Sequence, residues 1–255
     1  MITQSEIKYL NSLAQRKFRQ KYNKFIAEGH KICAELLTAD TYTIDKIYCS
    51  NEWLQSNSRV LHRFKSMITE VSEREMAKIS QLKTANAALM VLHTSQHDFG
   101  AVPIGTEPVL YLDDVQDPGN VGTIIRIADW YGIRHVVRSV GTADFYNPKV
   151  VQSTMASFAN VRLYSASYDS VREQLPTHVS VGAILGGEPI SKLVWPVAPL
   201  IIMGNESKGI TPATLSQLEK KIMLPGSEGR LADSLNVGIA TALMCQHWFA
   251  NASSH

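Results

Sequence analysis

Two polar residues in the segment 113–133 (DDVQDPGNVGTIIRIADWYGI) have the types and spacing expected of a ligand site. An apolar stretch ends here, Pro118-Gly119 turns the chain, and a helix is expected to begin near Asn120. Arg126 falls off the apolar stripe of that helix. Both side chains can therefore face the carboxyl end of a sheet, where open α/β folds bind ligands. The alternative is that Asn120 only caps the helix and Arg126 only forms a surface ion pair.

The segment 200–210 (LIIMGNESKGI) places an acidic side chain between two glycines. Its apolar strand is stopped by Gly204, and the second glycine is Gly209. Glycine allows a ligand to approach the main chain closely. A plain strand-to-turn structure would account for both glycines, but it would not require Glu206 beside them.

In the segment 222–243 (IMLPGSEGRLADSLNVGIATAL), an apolar strand ends at Pro225-Gly226 and a polar loop leads to a helix. Ser234 is a favourable N-cap for that helix on structural grounds alone. Asn236 would then fall in the first turn, where a buried amide needs hydrogen-bond partners, so it is a candidate site residue. The helix is apolar nearly all round from about 234 to 250, and we expect it to be buried.

Apolar segments after residue 108 predict the sheet that holds these loops. They are continuous rather than alternating in hydrophobicity, and helical segments separate them. This pattern is typical of an α/β fold with a mainly parallel sheet covered on both faces. In chain order the predicted strands are PVLYLDDV, HVVRSV, VRLYSA, HVSVGAIL, PLIIMG and KIMLP.

The first half of the chain predicts a smaller α/β domain. Two segments have the pattern of capping boxes that begin helices, namely TQSE at 3–6 and SERE at 72–75. Strands are expected at 25–30, 44–49 and 87–94, the first of them running into a helix through Leu37.

Length and composition allow two domains, because the chain has 255 residues and 45% hydrophobic content. The stretch 95–108 has two prolines, two glycines and no periodicity, so we place the boundary there. The expected division is a domain over 1–95, a linker over 96–107 and a second domain over 108–255.

Several function classes are disfavoured. No stretch reaches about 20 uninterrupted apolar residues, and the first ten residues lack the layout of a signal peptide, so we expect a cytoplasmic protein without a membrane span. Cys33, Cys49 and Cys245 are odd in number and widely spaced, which favours reduced core thiols. His93 and His97 have helical ligand spacing but no matching third ligand, so no metal is expected.

A basic run near the amino end is a candidate RNA contact. The net charge of +2 is too small to indicate a nucleic-acid partner, but its distribution is uneven. Between residues 16 and 24, cations for phosphates lie beside the rings of Phe18 and Tyr22, which can stack on bases. The alternative is a solvated helix end with both rings buried. The cations are Arg16, Lys17, Arg19, Lys21 and Lys24.

Three motifs in order resemble the signature of one family: N-x-G-x-x-x-R at 120–126, G-N-E-S-K-G at 204–209 and S-L-N-V at 234–237. This trio is similar to that of the SpoU (TrmH-like) RNA 2′-O-ribose methyltransferases of the SPOUT superfamily. The resemblance covers roughly 105–250. More loosely, KFRQKYNKFIAEGHKICAELL resembles the ribosomal-protein-like substrate-binding domain that precedes the methyltransferase domain in many members.

The resemblance implies a fold, a cofactor and an assembly. The C-terminal domain would contain a deep trefoil knot, an exception to the rule that folds avoid threading. Its loops would hold S-adenosylmethionine, and the matching cofactor positions are Gly204, Leu224 and Leu235. Members generally form homodimers through this domain and act on structured RNA, so we expect a homodimer acting on ribosomal RNA in preference to transfer RNA.

The same resemblance implies site roles. Arg126 matches the residue proposed to help deprotonate the ribose 2′-hydroxyl. Because arginine is a poor base, we expect it to orient the hydroxyl, with RNA phosphates assisting any proton removal. Asn120 and Asn236 would position the nucleotide, and Glu206 and Ser234 would complete the polar frame.

The chain departs from the family pattern in two places. Many relatives have a Ser-x-Gly step where this chain has Thr154-Met155-Ala156, and the added methyl at Ala156 is expected to narrow the substrate side of the pocket. The loop GSEGRLAD over 226–233 is longer than in some members, which leaves its register open.

Three alternatives remain. The chain could be an RNA-binding or ribosome-assembly factor that keeps the fold without turnover, which the joint presence of Asn120, Arg126, Glu206 and Asn236 disfavours. It could also methylate a base rather than a ribose. A nucleotide-cofactor oxidoreductase is disfavoured because no G-x-G-x-x-G turn follows a strand.

Overall fold

The computed structural model describes residues 2–39, 41–95, 97, 99–101, 105 and 107–252. The chain divides into two compact units, the first formed by 1–95 with 144–160 and the second by 96–143 with 161–255. The segment 144–160 thus packs with the first unit, whereas the sequence prediction placed all of 108–255 in one domain. Within the expected linker 96–107, positions 96, 98, 102–104 and 106 lie outside the described residues.

The helices are labelled in chain order. They are α1 (Gln4–Ser12), α2 (Arg16–Tyr22), α3 (His30–Leu36), α4 (Asn51–Ser56), α5 (Ser58–Leu61), α6 (Glu73–Ile79), α7 (Pro118–Trp130), α8 (Pro148–Thr154), α9 (Tyr168–Gln174), α10 (Pro212–Ser216) and α11 (Val237–Ala252). Within the described ranges, none of them has both the length and the apolar character needed to cross a membrane.

The strands follow the same order. They are β1 (Lys24–Glu28), β2 (Ile44–Cys49), β3 (Ile68–Glu70), β4 (Ala88–His93), β5 (Val109–Leu112), β6 (His135–Arg138), β7 (Arg162–Ser165), β8 (Val179–Pro189), β9 (Pro199–Met203) and β10 (Lys220–Met223).

The first unit is built on a sheet with the strand order β1-β4-β2-β3. Strands β1 and β2 run antiparallel to β4, and β3 runs parallel to β2. Both predicted capping boxes are formed, by Thr3 with Glu6 at the start of α1 and by Ser72 with Glu75 at the start of α6. Their reciprocal hydrogen bonds satisfy N–H groups that the first helical turn leaves free.

The segment 144–160 is held in the first unit by an ion pair and by aromatic packing. The guanidinium of Arg19 donates to the carboxylate of Asp144 at 2.5 Å. The ring of Phe25 lies 4.6 Å from that of Tyr146 and 5.8 Å from that of Phe158, centroid to centroid. These contacts are formed across a long sequence separation, so no local pattern indicated them.

The second unit contains a sheet with the strand order β10-β8-β9-β5-β6-β7, in which every neighbouring pair is parallel. The predicted parallel sheet is therefore confirmed. From β5 the chain continues to β6 on one side, and from β9 it continues to β10 on the other. The carboxyl ends of β5 and β9 consequently form a topological switch point, which is where such sheets bind ligands.

The prediction that the last helix is buried is wrong for part of its surface. Helix α11 buries Val237, Met244, Cys245 and Trp248. Its other face leaves large apolar side chains exposed, namely Ile239, Leu243 and Phe249. The helix is apolar all round, and among the described residues its main partner is α7, which leaves the side with Ile239, Leu243 and Phe249 exposed.

Candidate active site

Three predicted site residues are joined by hydrogen bonds at the switch point. The Nδ2 of Asn120 donates to Oε1 of Glu206 at 2.9 Å, and the Nδ2 of Asn236 donates to Oδ1 of Asn120 at 3.0 Å. The segments that follow β5, β9 and β10 thus meet through one side chain each. Each donor faces an acceptor, so the three polar groups hold one another in fixed orientations.

The helix starts differ from those predicted. Asp117, not Asn120, caps α7, because its Oδ1 accepts from the N–H of Asn120 at 2.9 Å. Asn236, not Ser234, caps α11, because its Oδ1 accepts from the N–H of Gly238 at 2.9 Å. Ser234 lies before the helix. Asn120 therefore does not cap the helix, which was the alternative to a role in the site.

The Glu206 loop is fixed by its own backbone. Gly204 has no room for a side chain, because a Cβ there would lie 2.4 Å from the carbonyl carbon of Gly209. Asn205 and Gly209 exchange backbone hydrogen bonds, and the Nδ2 of Asn205 donates to the carbonyl of Asp114 at 2.8 Å. This bracing presents the Glu206 carboxylate towards α7.

Arg126 is exposed on α7, six residues after Asn120. Thr123 follows Asn120 by three residues and Arg126 follows Thr123 by three, so each is a surface neighbour of the next along the helix. Thr123 abuts the start of α11, since a Cβ on Gly238 would lie 3.2 Å from its Cγ2. Among the described residues, none forms a hydrogen bond or ion pair with the Arg126 side chain. The surface ion pair that was the alternative for Arg126 is thus not formed with them.

A cavity of about 540 Å³ lies in the second unit next to this hydrogen-bond chain. It is lined by all three predicted cofactor positions, Gly204, Leu224 and Leu235, and also by Glu206 and Ser234. Its volume lies within the range of roughly 300–1,000 Å³ that is usual for small-molecule sites. The cavity therefore has the size and position for a nucleoside cofactor, and its wall combines apolar residues with polar and charged ones, Glu206 among them.

The wall of this cavity includes a segment that the sequence did not single out. Ala183, Ile184 and Leu185 of β8 line it. They lie in an irregular stretch where the pairing of β8 with β10 jumps from Gly182 to Glu188. In sequence, the segment HVSVGAIL gave only the signal of a buried strand. Asp117 was also missed as a site residue, although it precedes Pro118 as caps commonly do.

The basic run of the first unit splits into two groups. Arg16, Lys17 and Lys21 are exposed on α2, and the ammonium of Lys17 lies 4.8 Å from the ring centroid of Phe18. Arg19, by contrast, is buried and donates to the carbonyls of Leu13 and Ala14 as well as to the carboxylate of Asp144.

Two of the five predicted RNA contacts are paired within the protein, one of them buried and the other partly exposed. Arg19 has its donors satisfied in the first unit, and Lys24 forms an ion pair with Asp45 at 2.7 Å. We therefore correct the assignment of Arg19 to a structural role, whereas the RNA contact of Lys24, whose side chain is partly exposed, stays a prediction. Arg16, Lys17 and Lys21 keep the RNA-binding prediction.

The remaining sequence predictions concern residues away from the cavity lining. All three cysteines are buried and free, and burial raises the pKa of Cys49 to about 11 and that of Cys245 to about 12. Such thiols are protonated at neutral pH and serve as core residues.

Ala156 lies in the first unit with φ of 78°, in the left-handed region that favours glycine.

Two family models match the chain. The SpoU rRNA Methylase family matches residues 107–246, and the MRM3-like substrate binding domain matches residues 4–89. The chain is also similar to the 23S rRNA (guanosine(2553)-2′-O)-methyltransferase RlmP of Bacillus subtilis, with 28% identity over 247 residues and 95% of each chain covered.

Solved structures with the same fold cover nearly the whole chain. A putative RNA methyltransferase of the TrmH family from Porphyromonas gingivalis has a TM-score of 0.84 and 31% identity, covering 97% of this chain and 98% of its own. The AdoMet-bound rRNA methyltransferase from Sinorhizobium meliloti has a TM-score of 0.86 and 24% identity, covering 97% of this chain and 95% of its own.

Proposed function

Since this chain belongs to the SpoU rRNA methylase family, we propose that it transfers a methyl group from S-adenosylmethionine to a ribose 2′-hydroxyl of ribosomal RNA. The observation that carries this proposal is the chain of hydrogen bonds from Asn236 through Asn120 to Glu206 at the edge of the 540 Å³ cavity. It joins a polar frame for a nucleotide to a pocket for a cofactor.

Three residues would hold the cofactor. Gly204 supplies backbone at the end of β9, Leu224 follows β10, and Leu235 precedes α11. Leu224 and Leu235 give apolar contact for an adenine ring. Bound S-adenosylmethionine would supply an activated methyl group on its sulfonium, so the chain itself has to bind, orient and exclude water.

The side chains around the pocket divide this work. Asn120 and Asn236 offer amide groups that are already oriented by hydrogen bonds, which suits them to position the nucleotide. Arg126, on the exposed face of α7, would orient the 2′-hydroxyl and stabilise developing negative charge, with an RNA phosphate assisting proton removal. Glu206 and Ser234 complete the polar frame.

The first unit would recruit the RNA. Its match to a substrate-binding domain supports this role, and Arg16, Lys17 and Lys21 are exposed on one short helix beside Phe18 and Tyr22. Cations of this kind neutralise phosphates, and rings stack on bases. We favour ribosomal over transfer RNA because the relative from Bacillus subtilis is a 23S rRNA methyltransferase.

We further propose that the protein acts as a cytoplasmic homodimer and that its methyltransferase domain carries the trefoil knot of the family. The exposed apolar residues of α11, together with Trp130 of α7, support a dimer. Trp130 is 82% exposed. The ring centroids of Phe249 and Tyr131 lie 5.6 Å apart, which brings the apolar side chains at the ends of α7 and α11 together.

The experiment is transfer of tritiated methyl from S-adenosylmethionine to ribosomal RNA and, separately, to transfer RNA from a strain that lacks the gene, followed by nucleoside analysis. We expect a 2′-O-methylnucleoside in ribosomal RNA. A methylated base would favour the base-methylating alternative. No transfer with intact cofactor binding would favour an RNA-binding or assembly factor without turnover.

Two arginine variants make the assay specific. Arg126→Ala should abolish methyl transfer. Its affinity for the cofactor should stay close to that of the wild type, because Arg126 is not among the described residues that line the cavity. The matched control is Arg134→Ala, which removes an exposed arginine just before β6, at the opposite edge of the sheet. Loss of transfer and of cofactor binding together in Arg126→Ala would instead indicate a structural role.

A further inference from the structure

The cavity contains charged side chains that the roles above do not use. Lys208, Arg230 and Asp233 all line it. Arg230 and Asp233 belong to the loop 226–233, whose register the sequence left open. All three are exposed side chains, and Arg230 and Asp233 lie on one loop, so this loop can meet a charged part of a ligand.

Arg230 is held in place within this loop. Its guanidinium group lies over Gly226, where a Cβ would be 3.1 Å from Cδ and 3.2 Å from Nε of the arginine. One Nη donates to the carbonyl of Ser227 at 3.1 Å. Gly226 thus leaves the space in which the side chain lies, directly after the β10 strand that leads to Leu224.

The remaining donors of Arg230 are available for a ligand. In the described part of the chain, no carboxylate pairs with this guanidinium. A planar guanidinium matches a carboxylate with two parallel hydrogen bonds, which a lysine ammonium does not reproduce. Lys208 also lines the cavity, but no hydrogen bond of its ammonium to another described residue fixes its position.

We propose that Arg230 binds the α-carboxylate of the methionine part of S-adenosylmethionine and so determines specificity for the complete amino-acid tail. This proposal rests on the proposed function, which names the cofactor. It goes further by assigning the end of the cavity to which the tail extends. Asp233, on the same loop, supplies the opposite charge for the α-ammonium group of the same tail.

The test compares the dissociation constants of S-adenosylmethionine and decarboxylated S-adenosylmethionine, which lacks only the carboxylate, by calorimetry. The wild type should bind the complete cofactor about tenfold or more tightly than the decarboxylated one, as expected for a hydrogen-bonded charge pair. In Arg230→Gln this discrimination should shrink to about twofold, through weaker binding of the complete cofactor alone.

Two further variants locate the effect. Gly226→Ala, whose new methyl would lie 3.1 Å from Cδ of Arg230 and shift its side chain slightly, should reduce the discrimination in the same direction as Arg230→Gln but by less. Lys208→Gln removes the other cation of the cavity and should retain the full discrimination. Because Arg230 is exposed on a loop, its replacement should leave the thermal unfolding temperature unchanged.

The outcomes separate the two proposals. A wild type that fails to bind S-adenosylmethionine would overturn the proposed function and this inference with it. A wild type that binds it, with equal discrimination in Arg230→Gln, would overturn the inference alone. Loss of discrimination in Lys208→Gln but not in Arg230→Gln would assign the carboxylate to Lys208 and likewise overturn it.

Discussion

Asn236 has two functions in one amide group. Its Oδ1 caps α11 by accepting from the N–H groups of Gly238 and Ile239, and its Nδ2 donates to Asn120. An aspartate could perform the first function but not the second, since a carboxylate has no hydrogen to donate. The residue therefore links the stability of a helix to the geometry of the site.

Substitution at Asn236 should separate these functions. Asn236→Asp keeps the cap, so its free energy of unfolding should stay within about 0.5 kcal/mol of the wild type. Methyl transfer should fall about tenfold, because the hydrogen bond to Asn120 is lost. Asn236→Ala should lose about 1 kcal/mol of stability as well. Denaturant unfolding and single-turnover transfer measure the two effects, and a wild-type rate in Asn236→Asp would contradict the assignment.

Ala156 has a strained backbone conformation, which explains why many family members have glycine at this position. With φ of 78° and 7% exposure, it is a buried left-handed residue with a side chain, a conformation that costs about 1 kcal/mol for a non-glycine residue. Ala156→Gly should therefore raise the free energy of unfolding by about 1 kcal/mol. Ala159→Gly, in the next turn, should lower it, and an equal sign for both variants would refute the strain argument.

At the scale of elements, the start of α6 fastens the amino end of the chain. The Glu75 carboxylate accepts from the backbone N–H groups of Ser72 and Ile2 and from the Ser72 hydroxyl. These bonds favour the charged carboxylate and lower the pKa of Glu75 from 4.5 to about 2. The stabilisation is therefore complete above pH 4.5 and is lost as the pH falls towards 2.

This linkage predicts an acid dependence that one substitution should weaken. Glu75→Gln keeps a side chain suited to the capping box but removes the titration, so its free energy of unfolding should fall less steeply between pH 4.5 and 2 than that of the wild type. Glu73→Gln, in the same helical turn, is the control and should follow the wild type. Chemical denaturation across this pH range measures both, and parallel curves for all three proteins would exclude the linkage.

At the scale of the whole molecule, the exposed apolar face of α11 leads to a prediction about dimer formation. One chain leaves Ile239, Leu243 and Phe249 of α11 exposed, together with Trp130 of α7, whose neighbour Tyr131 contacts the Phe249 ring. Contiguous apolar surface of this kind marks interaction sites. The face lies on the helix that Asn236 caps, so a partner seated there would adjoin the candidate active site.

The proposed homodimer can be tested through this face. Leu243→Glu places a charge in the apolar surface and should convert a dimer into a monomer at micromolar concentration. Leu231→Glu, on the loop before α11, is the control because Leu231 is fully exposed and lies outside that surface. Light scattering gives the mass, and a monomeric wild type with full methyl transfer would overturn the dimer.

The sequence by itself determined most of the strands and both capping boxes, and it supplied the candidate site residues; the short strand β3 was not predicted. Continuous apolar runs predict parallel strands because both sheet faces must be covered, and TQSE and SERE predict helix starts through purely local hydrogen bonds. The order of the three motifs led to Asn120, Glu206 and Asn236 because each lies directly after an apolar strand or at a helix start, where side chains reach the sheet edge.

Only the tertiary structure decided how those residues are used. The capping role fell to Asp117 and Asn236 rather than to Asn120 and Ser234. The caps themselves are local, but the hydrogen bond that joins Asn236 to Asn120 forms only because α7 packs against α11. Arg19 became structural because Asp144, distant in sequence, meets it in the first unit. Hydrogen bonds and burial of this kind depend on contacts between distant segments, which the local pattern of residue types does not determine.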